Sequence, residues 1–479
     1  MAVQPRAKAR PHAHRYAPAP TGRNDGGERR ARRLRTEHLP GWPVLVAFAG
    51  FPLWWLLGLG DLAWPVFAAV MVYGLARFSK VKAPRGLGVW LLFMLWMLCS
   101  LIQIDEPIRI VGFFYRYGLY LAATIVFVYV YNARHSLSER KIFGVLTIFW
   151  LAVVVGGYAG LAFPVFELKT PLAYVFPQVL LDNSYVHDMA FRRLTQFNPD
   201  PNAYVIAAPR PSAPFLYANG WGNVYSLLTP VVIAYASMVR RERKFWLLVL
   251  ALPISFVPAF LTLNRGMFLG LGVALVYIGI RAALQGHGKI IMAIIGITAI
   301  AGIAVNVLPV QERLDQRTAK VESIVDRGNL YVETFDRTLE SPVFGYGAPR
   351  PSERAGQPSV GTQGQIWMVM FSHGFVGLGL FLGWLVMLFL KTMRRTDVVG
   401  LVCNTIILVS LVEVFYYGIL GAGLVIVMVA GALALRNDPA GQAAAQFPAR
   451  VKPERAPWGR PVVPGRRAAP GRYPRNGNT

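Results

Sequence analysis

The chain has 479 residues, 54% of them hydrophobic, a mean hydropathy of +0.42 and a formal charge of +25. Apolar runs of about 20 residues exclude an ordinary soluble domain, because that length of helix crosses a hydrocarbon core of roughly 30 Å. Their continuity also excludes a closed barrel, whose strands alternate inward and outward faces.

Residues 1–40 form a basic tail rich in Arg, Pro, Ala and Gly, a composition expected to be disordered. It reaches the first apolar run without an evident cleavage site, so it is not expected to be a signal peptide. Residues 41–436 then hold twelve predicted spans. They lie at approximately 43–59, 62–77, 88–104, 109–131, 142–163, 221–239, 245–263, 266–284, 290–308, 366–390, 398–413 and 417–435. A second basic, disorder-type tail fills 437–479. The expected fold is an all-α polytopic membrane helix bundle of about 12 transmembrane helices.

Charge orients this bundle. With the N-terminus in the cytoplasm, the inner segments are the two tails and the loops at 77–87, 132–141, 240–244, 281–289 and 391–397. Together they hold 35 of the 49 Lys and Arg but eight of the 24 Asp and Glu, a net +27 against −2 for the rest. That asymmetry is the positive-inside pattern and places both termini in the cytoplasm of a plasma (inner) membrane protein. Attraction to anionic membrane lipids accounts for the basic tails, and no nucleic-acid partner is expected.

Two outer segments, 164–220 and 309–365, are far longer than the other connections. Loops of that length usually carry function or structure. There is no phosphate-binding loop, zinc-ligand spacing or dinucleotide fingerprint, so no cofactor and no metal are expected. Cys99 and Cys403 fall within spans at different depths and read as small buried residues.

Three arginines mark outer junctions: Arg210 before span six, Arg265 in the tight turn between spans seven and eight, and Arg327 in the second outer segment. A planar, permanently charged guanidinium suits phosphate oxygens. Each has a bland alternative: a loop residue for Arg210, a snorkelling anchor for Arg265, and an ion-paired surface-helix residue for Arg327. Arg116 lies inside span four, where a buried cation needs a partner or a cavity. It either assists phosphate binding or pairs with an acid such as Glu413. His373, inside span ten, reads as a packing residue before a general base. Asn219 sits at the start of span six, where exposed backbone N–H groups favour anions. Asp182, His187, Asp188, Asp326, Glu333 and Asp336 are further outer titratable groups.

The segment from Arg210 to Asn223, the turn Leu263-Asn264-Arg265-Gly266, the run Arg327 to Gly347 and the helix Phe371 to Leu382 follow one another in order. Together they resemble the bacterial O-antigen ligase and O-antigen polymerase family, over about 205–390. The resemblance implies a membrane glycosyltransferase that uses a polyprenyl-pyrophosphate-linked glycan as donor and a glycan or lipid-glycan as acceptor, without a metal. It implies that Arg210, Arg265 and Arg327 hold the pyrophosphate; Arg116, Asn219 and Gln363 are expected in support. Ligases of the family carry His-Asn eleven residues before the glycine that is Gly374 here. That position is Gln363, which cannot act as a base at neutral pH, leaving Glu333 and His373 as weak candidates. Transfer and polymerisation of surface glycans, as in lipopolysaccharide or exopolysaccharide biosynthesis, both remain open. The alternatives are a transporter or flippase for a lipid-linked glycan or anionic solute, with charges along a path through the membrane, and an envelope scaffold.

Overall fold

A computed structural model describes residues 38–436 apart from 79, 198–208, 287, 289–291, 293–294, 297, 300–321 and 355–356. Nearly all of both tails, and most of the ninth predicted span with the start of the second outer segment, lie outside the described residues.

The described chain is mostly helical. In chain order the helices are α1 (Trp42–Ala49), α2 (Phe51–Leu56), α3 (Ala63–Arg77), α4 (Leu87–Cys99), α5 (Pro107–Asn132) and α6 (Glu139–Ala162). The first outer segment holds three short helices, α7 (Leu172–Val175), α8 (Gln178–Leu181) and α9 (Ser184–Ala190). Then come α10 (Ala218–Met238), α11 (Arg243–Leu261), α12 (Arg265–Leu284), α13 (Glu322–Glu340), α14 (Gln365–Thr392), α15 (Val398–Glu413) and α16 (Ala422–Arg436).

Five described helices, rather than twelve, are long and apolar enough to cross a membrane: α5, α6, α11, α12 and α14. The shortfall has local causes. Gly50 and Pro52 divide the first predicted span into α1 and α2, each too short to cross alone. The third span ends in a 3-10 turn, Ser100–Gln103, and α15 and α16 have 16 and 15 residues. Fifteen of the 21 residues of α10 and 14 of the 15 of α16 are buried, whereas only 22% of the apolar window of α12 is. Helices α10 and α16 are thus central and face other helices, while the apolar α11 and α12 lie toward the rim. Asn223, Ser226 and Thr229 are polar and lower the hydropathy of α10, and their side chains bond inside the bundle.

Helix ends meet in two groups. At one end, Arg281 on α12 donates to the carbonyls of Met393 (2.5 Å) and Arg395 (2.7 Å), Arg395 donates to Ala434 O (3.1 Å), and Arg140 pairs with Glu242. At the other end the starts of α10, α12 and α14 meet the α15–α16 connection. Among the described helices, the chain therefore runs back and forth between a strongly basic end and a second end that carries both long segments.

The first outer segment departs from an all-helical plan. Strand β1 (Glu167–Lys169) pairs antiparallel with β2 (Phe191–Arg193), and β3 (Thr195–Gln196) pairs with β4 (Arg210–Pro211). The second outer segment docks α13 on α14 through buried Leu330, Tyr346, Val360 and Phe371. Gly345 and Gly347 take positive φ, and the Tyr346 and Gly347 amides donate to the carbonyls of Phe371 and Ser372 at 2.9 and 2.8 Å.

Candidate functional site

The eight-residue connection Val414–Gly421 organises this second end. A turn between two buried helices exposes carbonyls that need donors. Here the start of α14 supplies them: the Gln365 and Ile366 amides donate to Tyr417 O and Val414 O at 2.8 and 3.0 Å, and Trp367 Nε1 donates to Phe415 O at 3.0 Å. The Gln365 side chain completes the joint. Its Oε1 accepts from the Ile419 and Leu420 amides, and its Nε2 donates to the Tyr120 hydroxyl.

The turn before α12 rests on this connection. Tyr417 donates its hydroxyl proton to Asn264 Oδ1, Tyr416 donates to Gly266 O at 3.3 Å, and Asn264 Nδ2 donates to Ala218 O at 2.9 Å. Gly266 is required here, because an added Cβ would lie 2.6 Å from the Tyr417 hydroxyl oxygen. Since Asn264 uses its side chain in these bonds, the first turn of α12 has no side-chain cap. Its orphan N–H groups favour an anion.

Arg210 bonds to the turn that leads into Arg265. Arg210, buried on β4, donates from Nε to Thr262 O at 2.9 Å and lies within electrostatic reach of the Tyr417 hydroxyl. Arg265 is the first residue of α12, is exposed, and forms no hydrogen bond or ion pair among the described residues. Arg327 joins less directly. It is partly exposed on α13, one turn before Tyr331, whose ring stacks on Trp367 at 4.5 Å. Trp367 is the residue bonded to Phe415, next to Tyr416 and Tyr417.

The remaining sequence-derived residues are placed as follows. Asn219 and Gln363 are partly buried, and neither side chain forms a hydrogen bond among the described residues. Glu333 is committed to local structure: it accepts from Ser352 Oγ (2.6 Å) and the Glu353 amide (3.0 Å) and pairs with Arg337 at 3.5 Å. His373 is buried edge-on between the rings of Phe93 and Phe113, with Nδ1 3.1 Å from Ser100 Oγ. The pairing of Arg116 with Glu413 does not occur. Glu413 accepts from Asn223 Nδ2 and Ser226 Oγ, both at 2.6 Å, whereas Arg116 sits among Tyr115, Tyr120 and Tyr185. The reason is that Glu413 faces α10 at the centre of the bundle.

Sequence reasoning passed over Asn264, Gln365, Tyr416 and Tyr417. A signal existed: two adjacent tyrosines and a Glu interrupt an otherwise apolar stretch between spans eleven and twelve. Among the described residues, no group of three or more His, Cys, Asp or Glu could hold a metal ion. Compared with known proteins, the chain matches no family model and no curated protein sequence.

Proposed function

We propose that the chain is a membrane glycosyltransferase that transfers or polymerises a glycan carried on polyprenyl pyrophosphate, at the outer face of the plasma membrane. One observation supports this reading: Arg210 bonds to the turn that leads into Arg265, Tyr416 and Tyr417 brace that turn, and the helix that carries Arg327 reaches the same connection through Tyr331 and Trp367. In the proposed reaction an acceptor hydroxyl oxygen bonds to the anomeric carbon. The bond from that carbon to the phosphate oxygen breaks, and its electron pair leaves with the pyrophosphate. The hydroxyl proton passes to a protein base or to water. Guanidinium groups held before the reaction stabilise the growing charge of the leaving group without reorganising. The preference of the first turn of α12 for an anion acts in the same direction.

A transport reading has less support, since its two candidate path charges, Arg116 and Glu413, sit in different surroundings. The test is purified full-length Arg265→Ala assayed with a polyprenyl-pyrophosphate glycan and candidate acceptors. Transfer should fall about 10²–10³-fold, the usual cost of removing one such charge stabiliser. Because Arg265 bonds to nothing among the described residues, expression and thermal stability should match wild type. Normal turnover by the variant would overturn the assignment.

A further inference from the structure

On the other side of the same connection lies a cluster that the arginine turn does not use. Asp61 is in the 3-10 turn Gly60–Leu62, Tyr115 and Arg116 are on α5, Tyr185 is on α9, and Arg192 is on β2. The Tyr115 and Tyr185 hydroxyls are 3.1 Å apart, and Arg192 Nη2 donates to Gly58 O at 2.9 Å. Arg116 lies within electrostatic reach of the hydroxyls of Tyr185, Tyr120 and Tyr115.

Three features set this cluster apart from fully satisfied core. Asp61, Tyr115, Arg116 and Tyr185 are each surrounded by protein, yet each keeps part of its surface accessible. Asp61 Oδ1 and Arg192 Nε are buried without a hydrogen-bond partner among the described residues. Arg116 has no hydrogen bond and no carboxylate partner among them, two and a half turns (about 14 Å) along α5 from Pro107. An unpaired guanidinium at that depth is costly, and the cost falls when an anion binds it.

The lining also indicates what is bound. Tyrosine hydroxyls and a carboxyl are suited to the hydroxyls of a sugar, their rings to its apolar face, and Arg116 to an acidic substituent. Burial pushes the Tyr185 hydroxyl up to about 12, so it stays protonated and can donate at neutral pH. The cluster adjoins the elements that brace the arginine turn at two points. An added Cβ on Gly421 would lie 2.6 Å from Asp61 Oδ1, and the Tyr185 ring is 6.4 Å from that of Tyr217, the residue before Ala218.

We propose that this cluster binds an acidic sugar residue, with Arg116 pairing to its carboxylate or phosphate and Asp61, Tyr115 and Tyr185 holding its hydroxyls. Its role as the acceptor subsite rests on the glycosyltransfer reading; its occupancy does not, because binding is measured without turnover. The experiment uses the full chain in detergent and three tetrasaccharides as probes: one containing glucuronate, one phosphorylated, and one neutral, made by reducing the carboxyl. Wild type should bind at least one acidic probe ten-fold or more tightly than the neutral one, and the two acidic arms tell carboxylate from phosphate. Arg116→Met should abolish that preference, and Arg116→Lys should retain part of it. Bound acidic probe should also protect Arg116 of wild type from phenylglyoxal, read by peptide mass, which keeps the test decisive if Arg116→Met does not fold. Equal binding of acidic and neutral probes, or no protection of Arg116, would overturn the proposal. Neither result depends on whether Arg265→Ala is inactive, so the two readings fail separately.

Discussion

Asp61 illustrates how little a side chain's identity says about its state. Burial raises its carboxyl above the ordinary value of 3.8, against the lowering effect of nearby Arg192. The folded chain therefore holds a proton that the unfolded chain releases. This contribution to stability is present in full below the unfolded value and is lost as pH rises through the raised folded value. Thermal unfolding of wild type should thus drop by a few degrees from about pH 4 upward relative to Asp61→Asn, whose amide does not titrate. Parallel pH profiles for the two proteins would refute the assignment. Arg265 was legible in the sequence, because a lone cation in a tight turn between two apolar runs stands out. Asp61 was not legible, because its setting comes from α5, β2 and Gly421, residues far away in the chain.

Elements show the same division. The α14 helix reads as one span, yet it is kinked at Gly374, where φ is 68° and ψ is −176°. The kink lets the Phe375 amide donate to Pro342 O at 2.8 Å, while Trp96 Nε1 donates to His373 O at 3.1 Å. A Cβ at Gly374 would run into the carbonyls of Val343 and Pro342, and the backbone lies in the left-handed region that non-glycine residues avoid. Gly374→Ala should therefore lower stability by at least about 1–3 kcal/mol. It should also release the second outer segment, seen as faster proteolysis within 341–360; unchanged proteolysis and melting would contradict this. The glycine itself was visible in the sequence as part of a small-residue helix. The kink was not, since it needs the 341–347 turn seated against that point.

At the scale of the molecule, the grouping of helix ends makes a topological prediction. Arg241, on the basic end, and Glu353, on the end with the long segments, should face opposite sides of the membrane. In a chain with Cys99 and Cys403 replaced, an impermeant maleimide should label Glu353→Cys in intact spheroplasts and Arg241→Cys only after lysis. The reverse pattern would invert the proposed site. Apolar runs, their basic flanks and the arginines at their ends were enough to give a helical membrane-type chain, its expected orientation and three cations to examine, because hydrophobic length and charge placement are local properties. Which helices form the rim and which the centre, that Glu413 turns to Asn223 rather than Arg116, and that the Val414–Gly421 connection braces the turn to which Arg210 bonds were decided by tertiary structure. Those outcomes depend on buried polar groups finding partners across long stretches of chain, and no local pattern records which partner each one finds.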